Sequence, residues 1–275
     1  MISVPVAVNI TDFKMQLELF WFNHKKIYGE DAYKKAFAVI INKNNKEEIA
    51  QNAIIFNTTI PHKLCESYHS YIHVDQDNVY YQPLNIQYGL FQIINELNDD
   101  QVIEVLDCDM FHMRPHPEII INDDEIYVCD LYENWHLKSL TQNKYLIDIY
   151  FENNGRYYNG GFVPIIGKVK TFKKILHEWI EVHKHILTLA HSNEKKWWAG
   201  MFALQVACEK NKVLMISKDT CYIPPMNEIN NNHYICHYSV DTVFNKKVYP
   251  NINFDKFPSN LYYECIAEWY KTQCG

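Results

Sequence analysis

Two carboxylates one residue apart, Asp107 and Asp109, end the apolar run Val102-Ile-Glu-Val-Leu106 and are followed by the apolar pair Met110-Phe111. In an extended chain, positions i and i+2 project to one side, so both carboxylates are expected to address one point. Carboxylate oxygens are hard ligands suited to Mg2+ or Mn2+, ions that bridge and neutralise phosphates. The triplet alone is a weak signal, because acidic turns produce it by chance, and Asp75-Gln76-Asp77 is a second instance in the same chain. The apolar strand leading into Asp107 sets the first instance apart.

The elements that must position this pair are legible from periodicity. Val4–Ile10 and Ala36–Asn42 are short β-branched runs expected as buried strands, and Ile72–Val74 as a third, ending at Asp75. Asp12 caps an expected helix from Phe13 to about Tyr28, closed by Gly29. Pro83 opens a second helical stretch to about Leu97, with Ile86, Leu90, Ile93, Ile94 and Leu97 on one face. Later segments read as strands at Ile126–Tyr132, Tyr145–Phe151 and Ile235–Ser239, and as helices at Thr171–Leu189, Lys195–Glu209 and Asn260–Thr272. Strands alternating with amphipathic helices predict an α/β, mainly parallel sheet flanked by helices, with ligands collecting beyond the strands' carboxyl ends. No repeat or Pro/Gly/Ser linker divides the chain, so one domain over residues 1–275 is expected.

Bulk properties bound the class. A net charge of −7 argues against a nucleic-acid binder, while 48% hydrophobic content supports an ordinary buried core. No window approaches the roughly 20 apolar residues of a membrane helix, and Met1–Ile10 lacks the basic start of a secretory signal. The eight cysteines are scattered without a CxxC pair, which suits reduced thiols in a cytoplasmic protein.

Leu106-Asp107-Cys108-Asp109-Met110 resembles the DXD motif of the GT-A glycosyltransferases, and three further segments fit that family in order. Tyr158-Asn159-Gly160-Gly161-Phe162 is similar to its Asn-Ser/Gly-Gly stretch, Trp197–Ala207 to the helix that follows, and Ile235-Cys236-His237-Tyr238 to a late histidine segment. The resemblance covers roughly Val4 to Lys247. It implies a Rossmann-related GT-A-like fold, with a nucleotide-binding half to about residue 110 and an acceptor-side half from about 111. It implies transfer of a sugar from a nucleotide-diphosphate donor, by default a UDP-sugar, to a glycan acceptor, with Mn2+ (or Mg2+) as cofactor. Surface-glycan transferases, including those of large DNA viruses, are the nearest type. Asp107, Asp109 and His237 would hold the metal. Asn9, Asp75, Asp107, Asn159, Gly160, Gly161 and Lys246 would line the donor, and Trp198 the acceptor.

One departure stands out. Where many inverting members carry an acidic residue in the helix after the Gly-Gly stretch, this chain has Gly200-Met201. A general base on the acceptor hydroxyl would then come from Asp148 or Glu194, or the reaction is a retaining one. His112-Met-Arg-Pro-His116 has the i, i+4 spacing of a metal-binding helix, but Pro115 blocks the helix and the spacing is set aside. Two rival readings remain from the sequence: a metal-dependent nucleotidyltransferase or sugar-nucleotide pyrophosphorylase, and a non-catalytic carbohydrate-binding relative.

Overall fold

The computed structural model describes residues 1–7, 10–42, 61–66, 84–129, 150, 162–189, 193–222, 228–238 and 259–274. Its centre is a seven-stranded sheet built from β1 (Ile2–Ala7), β2 (Ala38–Asn42), β3 (His62–Glu66), β4 (Val102–Asp107), β6 (Glu125–Cys129), β7 (Phe162–Lys168) and β8 (Leu214–Lys218). Across the sheet the order is β3-β2-β1-β4-β7-β6-β8. Neighbours from β3 to β4 are parallel, as are β6 and β8, and β7 alone runs against its two neighbours. The fold class read from the sequence is the one observed.

The strands β1, β2, β4 and β7 lie inside the sheet and carry mostly buried apolar residues, among them Val4, Val6, Val39, Ile40, Ile103, Val105 and Ile165. Such continuous apolar runs are what a strand covered on both faces requires. The chain passes from β1 to β2 on one side, and β4 returns on the other side of β1. That reversal makes a crevice at the carboxyl ends of β1 and β4, where Asp107 lies in register with Val6.

Helices α1 (Ile10–Tyr28), α2 (Leu84–Ile93), α3 (Val169–Leu189), α4 (Asn193–Lys210) and α5 (Leu261–Cys274) flank the sheet. Gly89 lets α2 lie close on β2: an added Cβ would come within 2.5 Å of Ile41 Cδ1 and 2.9 Å of Val39 Cγ1. In α3 the residues Phe172, Ile175, Leu176, Trp179, Ile180, His183, Ile186 and Leu187 make one buried stripe at helical spacing. The helix α4 packs on it, and Trp179 Nε1 donates to the Gly200 carbonyl at 2.8 Å. A Cβ on Gly200 would press to 3.0 Å from His183 Cε1. The glycine in the slot without a carboxylate therefore serves the close approach of two helices.

His183 is fully buried, with Nδ1 3.3 Å from Gln87 Oε1, and burial pushes its pKa down from 6.5 to about 3. The unfolded chain takes up this proton near pH 6.5 and the folded chain only near pH 3. Its contribution is therefore complete above the higher value and is lost as pH falls through the interval. Melting temperatures measured across that interval should fall less steeply in His183→Gln than in the parent.

Several sequence expectations shift. The first strand ends at Ala7, and α1 begins at Ile10 rather than at Phe13. The strands β3 and β8 are not foreshadowed by periodicity; both lie at sheet edges and expose much of their length, so neither shows an apolar signature. The expected strand Ile72–Val74 falls outside the described residues, as does all of Tyr145–Phe151 except Tyr150.

Candidate metal centre

Beyond β4 the chain turns at Cys108-Asp109 into the short strand β5 (Met110–His112), which pairs antiparallel with β10 (Ile235–His237); β9 (Cys221–Tyr222) completes this second sheet. The register sets His237 opposite Met110. The Tyr238 backbone N–H donates to the Asp109 carbonyl at 3.2 Å, and Cys108 Sγ donates to Gln16 Oε1 of α1 at 2.9 Å. The turn is thus held from both sides.

This turn corrects one step of the sequence argument. Asp107 and Asp109 do not share a pleat face of one extended strand; β4 ends at Asp107, and a tight turn swings Asp109 back beside it.

His237 Nε2 lies 3.2 Å from Asp109 Oδ1 and 3.9 Å from Asp107 Oδ2. One ligand atom from each of the three residues falls within 4.8 Å of the others. Asp109 and His237 are buried, and Asp107 is partly exposed toward the crevice. Two like charges so close repel unless a cation or proton intervenes. The donor set of two carboxylates and one imidazole fits a divalent ion of the manganese type, which accepts nitrogen as well as oxygen. Tyr238, behind the pair, is buried; that burial first, and then the charge of Asp109, push its phenol well up, so it stays neutral.

The other residues singled out in the sequence are not brought to this point by any described contact. Asn9, Asp75, Asp148, Asn159, Gly160, Gly161 and Lys246 lie outside the described residues. Glu194 and Trp198 fall within α4, but their side chains lie outside the described residues too. Sequence reasoning missed the roles of Gln16 and Tyr238, which hold and flank the turn, because neither residue carries a local signature of such a contact.

No family model matches the chain, and no curated protein matches it. Solved structures do match. An active-site mutant of LgtC superposes with a TM-score of 0.58 at 9% identity, covering 99% of this chain and 96% of that one. The galactosyltransferase LgtC in complex with donor and acceptor sugar analogues gives 0.55 at 8% identity over the same shares. Mouse xyloside xylosyltransferase 1 gives 0.50 at 8% identity, covering 87% of this chain and 97% of that one. At such identities the likeness is one of fold. Sheet order, the crevice at β1 and β4, and a likeness to LgtC that spans nearly the whole of both chains together give this chain the GT-A glycosyltransferase fold.

Proposed function

We propose that the chain is a metal-dependent glycosyltransferase that moves a sugar from a nucleotide-diphosphate donor, by default a UDP-sugar, to a glycan acceptor. The observation that carries this reading is the meeting of Asp107, Asp109 and His237 at the carboxyl end of β4 within a GT-A fold. Asp107, Asp109 and His237 hold Mn2+ or Mg2+ there. Bound at that point, the ion supplies Lewis-acid stabilisation of the charge that builds on the departing nucleoside diphosphate.

The chain's own residues do the rest. Asp107 and Asp109, fixed by β4 and by the turn, present oxygens in one direction without having to move at the moment of reaction. Asn9 and Asp75 contact the nucleoside, Asn159, Gly160 and Gly161 the donor sugar, and Lys246 the diphosphate. The part of the chain to about residue 110 is the nucleotide-binding half, and Trp198 in the acceptor-side half offers a face to the acceptor sugar. Among the described residues no helix is long and apolar enough to cross a membrane.

If transfer inverts the anomeric centre, Asp148 or Glu194 takes the acceptor proton. Glu194→Ala or Asp148→Asn should then lower the transfer rate by about 100-fold or more, the usual share of a general base, with donor affinity unchanged by calorimetry. The activity itself is tested by incubating the protein with each nucleotide sugar, Mn2+ and mixed glycan acceptors, and following the labelled sugar. Mn2+-dependent transfer to an acceptor supports the proposal. Donor binding without any transfer would favour a carbohydrate-binding relative, and formation of nucleotide sugar from nucleoside triphosphate would favour a pyrophosphorylase.

A further inference from the structure

Behind the crevice lies a second group of metal-ligand side chains, one that glycosyl transfer does not use. Glu104, in the middle of β4, is fully buried. Its Oε2 accepts from Ser3 Oγ at 3.0 Å and lies 2.9 Å from His112 Nε2, while Oε1 accepts from the Tyr234 hydroxyl at 2.7 Å. His116 Nδ1 stands 3.7 Å from the same Oε2; this nitrogen is buried and has no hydrogen-bond partner among the described residues. The bend at Met113-Arg114 brings the rings of His112 and His116 to a centroid separation of 4.4 Å. The spacing that Pro115 disqualifies as a helix is thus joined by a bend instead.

We propose that Glu104, His112 and His116 form a second metal centre, for zinc, that fixes the strands of the crevice from behind. The three ligand atoms lie within 4.8 Å of one another. Tetrahedral zinc, with bonds of about 2.0–2.1 Å, sets its ligands about 3.3 Å apart, and the separations of 2.9 and 3.7 Å bracket that value. Two imidazoles and one carboxylate suit zinc better than magnesium or calcium, which prefer all-oxygen shells. A solvent molecule takes the fourth position, reached past His116, whose side chain is 10% exposed.

Each ligand is also held by its other polar atom, as outer partners of metal sites commonly do. His112 Nδ1 lies 3.4 Å from His24 Nδ1, His116 Nε2 lies 3.0 Å from Ser3 Oγ, and Glu104 Oε1 takes the Tyr234 hydroxyl. The placement gives the centre its role. Glu104 is three residues before Asp107 on β4, His112 three residues after Asp109, and Tyr234 three residues before His237. An ion held by Glu104 and His112 therefore ties together the segments that carry Asp107 and Asp109, and Tyr234 links the segment of His237 to the same carboxylate. This inference stands on its own geometry and does not need the sugar-transfer reading to be right.

The test is a titration of metal-stripped protein with Co2+ as a spectroscopic stand-in for zinc. The parent and Asp109→Ala, which disables the front group, should both bind Co2+ with the strong visible absorption of a tetrahedral site. Zn2+ should displace it and excess Mn2+ should not. His116→Ala should lose the band. Should His116→Ala fail to fold by circular dichroism, Ser3→Ala keeps all three ligands and should weaken Co2+ binding about 10–100-fold through loss of the outer contact. A parent without the band, a band lost in Asp109→Ala, a band surviving in folded His116→Ala, or unchanged affinity in Ser3→Ala would each overturn the proposal.

Discussion

Asp109→Ala is expected to abolish metal-supported donor binding and to cut Mn2+-dependent transfer by more than about 100-fold. Loss of an outer partner to a metal ligand typically costs about 10–100-fold, and Asp109 is itself one of the three candidate ligands found among the described residues of the front group. The backbone of the turn should survive the change, because the Asp109 carbonyl with the Tyr238 N–H and the Cys108 thiol with Gln16 are contacts that the substitution keeps. Removing one of two adjacent carboxylates also relieves repulsion in metal-free protein. The melting temperature without metal should therefore hold steady or rise, while the gain on adding Mn2+ and donor disappears. Calorimetric titration of donor with and without Mn2+ checks this, and parental affinity in the variant would remove Asp109 from the metal site.

The largest stability effect is expected from Trp179→Ala. Trp179 is 2% exposed at the centre of the α3 stripe, and its indole N–H is the bond that ties α3 to the Gly200 carbonyl of α4. Truncation opens a cavity and removes the hydrogen bond between the two helices. Buried Trp→Ala changes cost about 3–5 kcal/mol, which for a chain of this size lowers the melting temperature by about 6–20 °C. Trp179→Phe, which keeps most of the volume and loses only the hydrogen bond, should fall by a fraction of that. Equal losses in the two variants would mean that packing contributes little there.

The same contrast between local and distant information explains what the sequence reveals. The strands β1, β2 and β4 are legible because burial on both faces demands unbroken apolar runs. The edge strand His62–Glu66 is not, since its exposed face carries polar side chains. Asp107 is visible as a charge ending a buried run, and His237 only through the order of segments that resemble the GT-A family. Glu104 stands in the sequence as one polar residue in an apolar strand. Its partners Ser3 and Tyr234 are 101 and 130 residues away, and no local pattern encodes such a meeting. For His112 and His116 the helix rule gives the right objection to the wrong geometry, since the chain joins them by a bend.

The proposed function requires that this GT-A fold bind a nucleotide-diphosphate sugar through a metal at Asp107, Asp109 and His237. Its most direct test is the melting temperature of the parent protein with UDP-, GDP-, ADP- and CMP-sugars, each with and without Mn2+. A donor at about 100 times its dissociation constant adds about 2.7 kcal/mol, or about 5–10 °C here. A shift is expected with one nucleotide, most simply uridine, and only when Mn2+ is present. Equal shifts with and without Mn2+, or none with any donor, would contradict it.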